Sequence, residues 1–123
     1  MKRTGKRCLK INDKWANLIL SGRKTWEIRR TNTKIRGRIA LGNTKTLCCV
    51  GYATLIDSVE MTVEELKKHN DKHQANDFIE KYAQGRKGQK RRKKLFAWVL
   101  KDVVKTKPKR YSHSTGSWCK IES

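Results

Sequence analysis

Acidic residues and proline are both scarce in this chain of 123 residues. Eleven Asp and Glu stand against 31 Lys and Arg, which gives a formal net charge of +20, and there is one proline. No apolar run approaches the roughly 20 residues that a membrane-spanning helix needs. No amphipathic basic helix or lipidation signal is evident, so we expect no membrane partner. A domain this basic repels itself unless a polyanion is near, which favours nucleic acid as the partner.

Cysteine and histidine patterns typical of metal sites are also missing. No two cysteines have C-x-x-C spacing, so we expect reduced thiols, in an intracellular protein, at Cys8, Cys48, Cys49 and Cys119. His69 and His73 are four residues apart, but the H-E-x-x-H pattern is absent. A polar helix face explains both histidines, and we assign neither a metal nor a cofactor.

The length fits one domain with a single core. Residues 1–7 are basic and unpatterned and are predicted to form an N-terminal arm, and residues 8–123 a single domain. Thr62 and Glu65 form a capping box that predicts helical structure as far as about residue 83, broken near Asn70. Gly51 in a central strand indicates a bulge or a close approach. Pro108 predicts a turn after the last long strand, and a short strand near residues 118–121 is expected to close a barrel. The predicted fold is α+β, a small barrel flanked by two or three helices.

The segment Ser21–Arg30 is the most informative in the chain. Gly22 ends a short helix, and the strand that follows carries Lys24, Glu27 and Arg29. Arg29 can present a planar fork to a phosphate or a guanine edge, while Lys24 is a mobile point charge. Glu27 can orient Arg29 or accept an exocyclic amine. The alternative is a strand-face ion pair without function. We favour a binding role, because a structural pair needs no lysine beside it.

Two tryptophans near this segment are candidates for stacking on an unpaired base. Trp15 lies on the preceding helix and Trp26 within the strand. Trp26 shares a strand face with Ile28, which favours a place in the core. Trp15 is therefore the stacking candidate.

The pattern G-x-K-x-x-E-x-R resembles the signature of the ASCH domain family, a branch of the PUA-like RNA-binding barrels. The resemblance extends over the opening strand and helix, the turn Arg36-Gly37-Arg38, and the closing strand around Ala97–Leu100 followed by Pro108 and Tyr111. It implies a PUA-like β-barrel with a cleft beside the helix. The signature residues would line that cleft, which would accept RNA or a modified nucleobase.

The resemblance also raises the alternative of a small hydrolase. One bacterial branch of the family hydrolyses N4-acylated cytidines with a lysine, a threonine and a glutamate. Lys24 matches that lysine and is the candidate catalytic residue, but Glu27 stands where the threonine is expected. Candidates for the glutamate are Asp71, Asp77 and Glu80. Other ASCH proteins are ribonucleases, yet no histidine pair suited to RNA cleavage stands out here. Recognition is therefore favoured over catalysis.

A basic loop at residues 84–94 is the densest run of charge in the chain. Its cations are Arg86, Lys87, Lys90, Arg91, Arg92, Lys93 and Lys94. We interpret the loop as a phosphate-contacting segment with strong salt dependence and no base reading, because no aromatic residue interrupts it. The alternatives are an incidental solvated loop and a nuclear-import patch over Lys90–Lys94.

Together these features predict a monomer of the cytoplasm that binds RNA or single-stranded nucleic acid. An interaction module for an acidic protein is a further alternative. The predicted contacts are the loop cations with Lys24, Glu27, Arg29, Arg30, Arg36 and Arg38.

Overall fold

A six-stranded, mostly antiparallel sheet organises the computed structural model, which describes residues 7–112 and 116–121. Its strand order is β2-β5-β4-β3-β1-β6, and only β1 and β3 pair in parallel. The strands are β1 (Arg7–Ile11), β2 (Trp26–Arg29), β3 (Gly37–Asn43), β4 (Cys48–Thr62), β5 (Lys94–Arg110) and β6 (Trp118–Lys120). The helices are α1 (Asp13–Leu20), α2 (Val63–Lys67), α3 (Asn70–His73) and α4 (Ile79–Gln84), with a 3₁₀ turn at Asn76–Phe78. The α+β prediction is confirmed.

Helix α1 ends just before Gly22, as the sequence predicts, and begins after a side-chain cap. The Asn12 side chain accepts a hydrogen bond from the backbone of Lys14 at 3.1 Å, which caps the N-terminus. Gly22, with a φ of +85°, turns the chain away after the last helical residue. The face formed by Trp15, Ala16 and Ile19 is buried against the sheet. The helix therefore covers one side of the core, and residues 21–25 connect it to β2.

Strands β4 and β5 form the longest pair in the sheet, and bulges interrupt it. Gly51 lies at one register shift and is so close to β5 that a Cβ atom would be 2.5 Å from the Val104 carbonyl oxygen. The prediction of a turn at Pro108 is wrong, because this residue lies inside β5. Lys105 faces Gly51 and Lys109 faces Cys49, so three β5 residues are opposite one β4 residue. Proline is tolerated in such a bulge because its missing N–H removes no ladder hydrogen bond.

The sheet is barrel-like, but no continuous ladder of hydrogen bonds closes it. After β5, Tyr111 forms an isolated antiparallel bridge with Ile121, and the Ser112 N–H donates to the Lys120 carbonyl at 2.8 Å. These contacts bring the end of β5 to β6. The predicted closing strand thus exists, and its contact with β5 is limited to this short bridge.

The middle of the chain is helical and interrupted, as the capping box and Asn70 predict. The Thr62 hydroxyl accepts from the Glu65 N–H at 3.1 Å, and the Glu65 carboxylate accepts from the Thr62 N–H at 2.9 Å. Helix α3 ends after His73, where Gln74 takes a φ of +58°. Both ring nitrogens of buried His73 are used internally, one with the Leu66 carbonyl and the other with the Ala75 N–H.

Cys8 and Cys119 are directly opposite each other on β1 and β6, and both are free thiols. Burial raises the pKa of each thiol, which favours the neutral form. The predicted N-terminal arm lies outside the described residues except for Arg7, the first residue of β1. No helix in the described part of the chain is long and apolar enough to cross a membrane.

The close approach at Gly51 predicts a steric cost for any side chain there. The backbone is ordinary at this position, but a Cβ atom would be 2.5 Å from the Val104 carbonyl and 2.6 Å from Leu20 Cδ2. We expect Gly51→Ala to lower the free energy of unfolding by about 1–3 kcal/mol, measured by urea denaturation. Adding Leu20→Ala should restore little, because the carbonyl cannot move out of the way. An unchanged unfolding midpoint in Gly51→Ala would show that the strands separate at no cost.

Candidate nucleic-acid interface

Lys24 is a buried lysine that ties β2 to the helical middle of the chain. Only 1% of its surface is exposed. Its Nζ donates to the His73 carbonyl at 2.6 Å, lies 3.7 Å from Glu27 Oε1, and sits 4.8 Å from the centre of a Trp15 ring. Burial lowers the pKa of Lys24 to about 8, although the nearby Glu27 carboxylate opposes the shift.

Glu27 and Arg29 form a close ion pair on β2. Arg29 Nε donates to Glu27 Oε2 at 3.0 Å, and Nη2 lies 2.8 Å from the same oxygen, within ion-pair distance. Arg29 Nη2 also donates to the Lys10 carbonyl at 2.9 Å, and Nη1 donates to Ser117 Oγ at 3.3 Å. The guanidinium lies 5.3 Å from a Trp98 ring centre. Arg29 therefore joins β2 to β1 and to the segment before β6.

A cleft of about 720 Å³ opens in front of this ion pair, between β2, α1 and α4. Glu27 and Arg29 both line this cleft. The same two side chains therefore form a strand-face ion pair and part of the cleft wall. Glu27 is the single acid among the lining residues, and the lining cations are Lys14, Arg29, Arg30, Lys81, Arg86 and Arg92. Lys24 lies behind Glu27 and is not part of the lining.

Three aromatic side chains line the cleft, and they differ in exposure. Trp15 is only 6% exposed and packs edge-on against Phe78, with ring centres 5.2 Å apart. Phe78 and Tyr82 are half-buried and present more of their rings. Neither residue was among the binding residues predicted from the sequence. Their i, i+4 spacing, with Lys81 between them, was the available signal.

Part of the basic loop borders the cleft. Arg86, Gln89 and Arg92 are among the lining residues, and Arg86 and Gln89 also line a second concavity of about 490 Å³ formed by the loop itself. The two concavities are therefore adjacent, with these two residues between them. The cations of the loop that border neither concavity, all exposed, are Lys90, Lys93 and Lys94.

Arg91 is held by an acid instead of projecting from the loop. Its Nε and Nη2 each donate to the Glu80 carboxylate at 2.8 Å, and Lys67 donates to the same group at 2.9 Å. These hydrogen bonds lower the pKa of Glu80 to about 2. The ion pairs anchor the end of the loop to α2 and α4.

Arg36 and Arg38 lie away from the cleft. Arg36 donates to the Thr33 and Ile35 carbonyls, and its Nη2 is 3.7 Å from Asp57. Arg38 donates to Thr54 Oγ1 at 3.0 Å and to the Asp102 carbonyl. Neither residue lines a concavity shared with Arg29, so the fold does not bring these predicted contacts together with the others.

The lowered pKa of Lys24 predicts a contribution to stability that depends on pH. Between pH 8 and 10.5 the folded chain loses the Lys24 proton while the unfolded chain still binds it, so this contribution rises with pH. Over that range the wild type should gain on the order of 3 kcal/mol in free energy of unfolding relative to Lys24→Met. Urea denaturation at a series of pH values measures the difference. Both proteins contain the same cysteines, so any effect of the thiols cancels in the difference between them. A difference in free energy of unfolding that stays constant over this pH range would contradict the lowered pKa of Lys24.

Comparison with known proteins places this fold and its charged segment in one family. No curated protein sequence is significantly similar to the chain. The crystal structure of ASCH from Zymomonas mobilis shares 23% identity, covers 83% of this chain and 71% of its own, and gives a TM-score of 0.68. Two mutants of that protein, Tyr to Phe and Ser to Ala, give TM-scores of 0.71 at 23% and 22% identity, covering 88% of this chain and 76% and 77% of theirs. The profile of the ASCH domain matches residues 9–110, and the chain belongs to the ASCH domain family.

Proposed function

We propose that this protein binds RNA or single-stranded nucleic acid, with one nucleotide in the cleft and the adjoining phosphates on the basic loop. The observation that carries the proposal is the composition of the cleft: six cations, one acid and three aromatic rings around about 720 Å³. Phosphate contacts need the cations, and an unpaired base needs an aromatic face. Membership of a PUA-like family linked to RNA binding supports the same partner.

The cleft has a rim of cations, which includes Arg30, and a floor formed by the Glu27–Arg29 ion pair. Arg30 is fixed at the rim because its Nε donates to the Tyr82 carbonyl at 2.7 Å. At the floor, the Arg29 guanidinium contacts Glu27 Oε2, while Oε1 lies 3.7 Å from the Lys24 ammonium, so a donor in the cleft would share Oε1 with Lys24. An N–H on a base edge suits that oxygen, while the rim suits phosphate. Arg29 is then a positioning residue for Glu27, and its guanidinium is not free to read guanine.

The position of the basic loop next to the cleft favours a polynucleotide over a free nucleoside as the ligand. Arg86 and Gln89 line both the cleft and the concavity of the loop, so a chain that leaves the cleft meets the loop cations next. A free nucleoside would make no use of Lys87, Lys90, Lys93 and Lys94. These lysines add affinity without sequence preference.

The position of Lys24 supports recognition over hydrolysis. A general acid or base must be within hydrogen-bond reach of the reacting group. The Lys24 ammonium instead donates to the His73 carbonyl and lies behind Glu27. The candidate acids do not supply a replacement, because Glu80 is paired with Arg91, and Asp71 and Asp77 are exposed outside the cleft.

The division between loop and cleft predicts two different mutant phenotypes. Replacing the four loop lysines Lys87, Lys90, Lys93 and Lys94 by Gln should weaken binding of every oligonucleotide and reduce the slope of log K against log salt by up to about 3. Arg29→Lys keeps the charge but loses the fork that holds Glu27, so it should change the preference among bases and leave the salt slope unchanged. Fluorescence anisotropy with four homo-oligonucleotides over a salt series measures both effects. If both variants lose affinity equally and neither changes the preference among bases, the division between loop and cleft is contradicted.

The half-buried ring of Tyr82 predicts a stacking contribution. Tyr82→Leu should weaken binding of single-stranded oligonucleotides by about tenfold, because base stacking on an aromatic ring contributes about 1–3 kcal/mol. Tyr82→Phe keeps the ring and is the matched control, expected to bind within about twofold of the wild type. Equal affinity of the Leu and Phe variants would remove Tyr82 from the binding surface.

A further inference from the structure

The distal segment of β5, residues 101–110, carries a group of cations that belongs to neither the cleft nor the basic loop. Asp102 is its one acid, and its exposed cations are Lys101, Lys105, Lys107, Lys109 and Arg110. The β4 residues that face this segment, 48–54, have no charged side chain. None of the ion pairs between described residues includes any of the five cations. Their charge is therefore largely uncompensated.

Protection of a strand edge does not account for five cations. Beyond Phe96–Val99, where β5 pairs with β2, no strand of the described chain flanks residues 101–110 on that side. Lysine often blocks such edges against pairing with another chain, and so do proline and bulges. This edge already has Pro108, a bulge around it, and Asp102 with a φ of +52°. These features already interrupt the edge, so the lysines are not needed to block pairing with another chain.

The distal segment and the basic loop lie at opposite ends of β5. The loop ends where the strand begins at Lys94, and Phe96 and Trp98 pair with the cleft residues Arg29 and Glu27. Lys101 and Arg110 follow Trp98 by three and twelve residues, or at most roughly 10 and 40 Å along the strand. The segment itself spans up to about 30 Å. A surface of that length and charge suits a polyanion with regularly repeated charges, such as a nucleic-acid backbone.

We propose that the distal segment of β5 is a second phosphate-binding surface, which holds nucleic acid that extends beyond the cleft on the side remote from the basic loop. The choice of nucleic acid as the partner rests on the proposed function. The protein then contacts a long ligand at three places: the loop, the cleft and the distal segment. A ligand of a few nucleotides reaches only the first two.

The test compares oligonucleotide lengths in a distal variant that carries Lys101→Gln, Lys105→Gln, Lys107→Gln and Lys109→Gln. At 0.15 M salt, a 25-nucleotide strand should bind at least about tenfold more weakly than to the wild type, with a salt slope smaller by up to about 3. A 5-nucleotide strand should bind within about twofold of its wild-type affinity. Thermal unfolding midpoints verify that the variant is folded.

A charge-matched control separates this surface from a general effect of net charge. Its substitutions are at exposed residues outside both concavities, Arg23→Gln, Lys34→Gln, Lys68→Gln and Lys72→Gln. We expect the control to weaken the 25-nucleotide strand by less than about threefold. Equal losses in the distal and control variants, or equal losses for both lengths, overturn the second surface alone. Failure of the wild type to bind either strand overturns the proposed function as well.

Discussion

The chain of contacts from Lys24 through Glu27 to Arg29 is the interaction on which the rest of the structure depends. Buried charges are costly unless they are paired and hydrogen-bonded, and each of these three is both. Lys24 connects β2 to α3 through the His73 carbonyl, and Arg29 connects β2 to β1 and to the segment before β6. Removing Glu27 would leave Lys24 buried without a counter-ion, and removing either cation would leave Glu27 with one counter-ion instead of two, so the three residues constrain one another.

The same contacts shape the cleft. Because Arg29 uses its guanidinium on Glu27, Lys10 and Ser117, the floor of the cleft is rigid, and its one acidic side chain has a fixed orientation. Around that floor, cations come from α1, the end of β2, α4 and the basic loop. Under the proposed function, one ion-pair network would therefore serve both structural stability and ligand recognition, and a substitution in it is expected to affect both.

Long strand β5 distributes the positive charge over the surface. Its first half is largely buried and pairs with β2, which carries Glu27 and Arg29, while its second half is exposed and basic. Bulges interrupt the pairing of this second half with β4, which resumes after Pro108 at Lys109 and Arg110. The molecule thus presents cations at both ends of one strand, which matches a partner that is long and repeatedly charged.

The sequence alone determined much of the local structure, because the responsible signals are short-range. Gly22 ended α1, Thr62 and Glu65 capped α2, Gly51 marked the bulge, and the charge pattern after Gly22 indicated the family. Contacts between distant segments needed the tertiary structure. Only the fold placed Lys24 behind Glu27, brought Phe78 and Tyr82 to the cleft, and kept Arg36 and Arg38 apart from it. Pro108 was mistaken for a turn because its place in a bulge depends on the register of β4, which β5 acquires only through pairing.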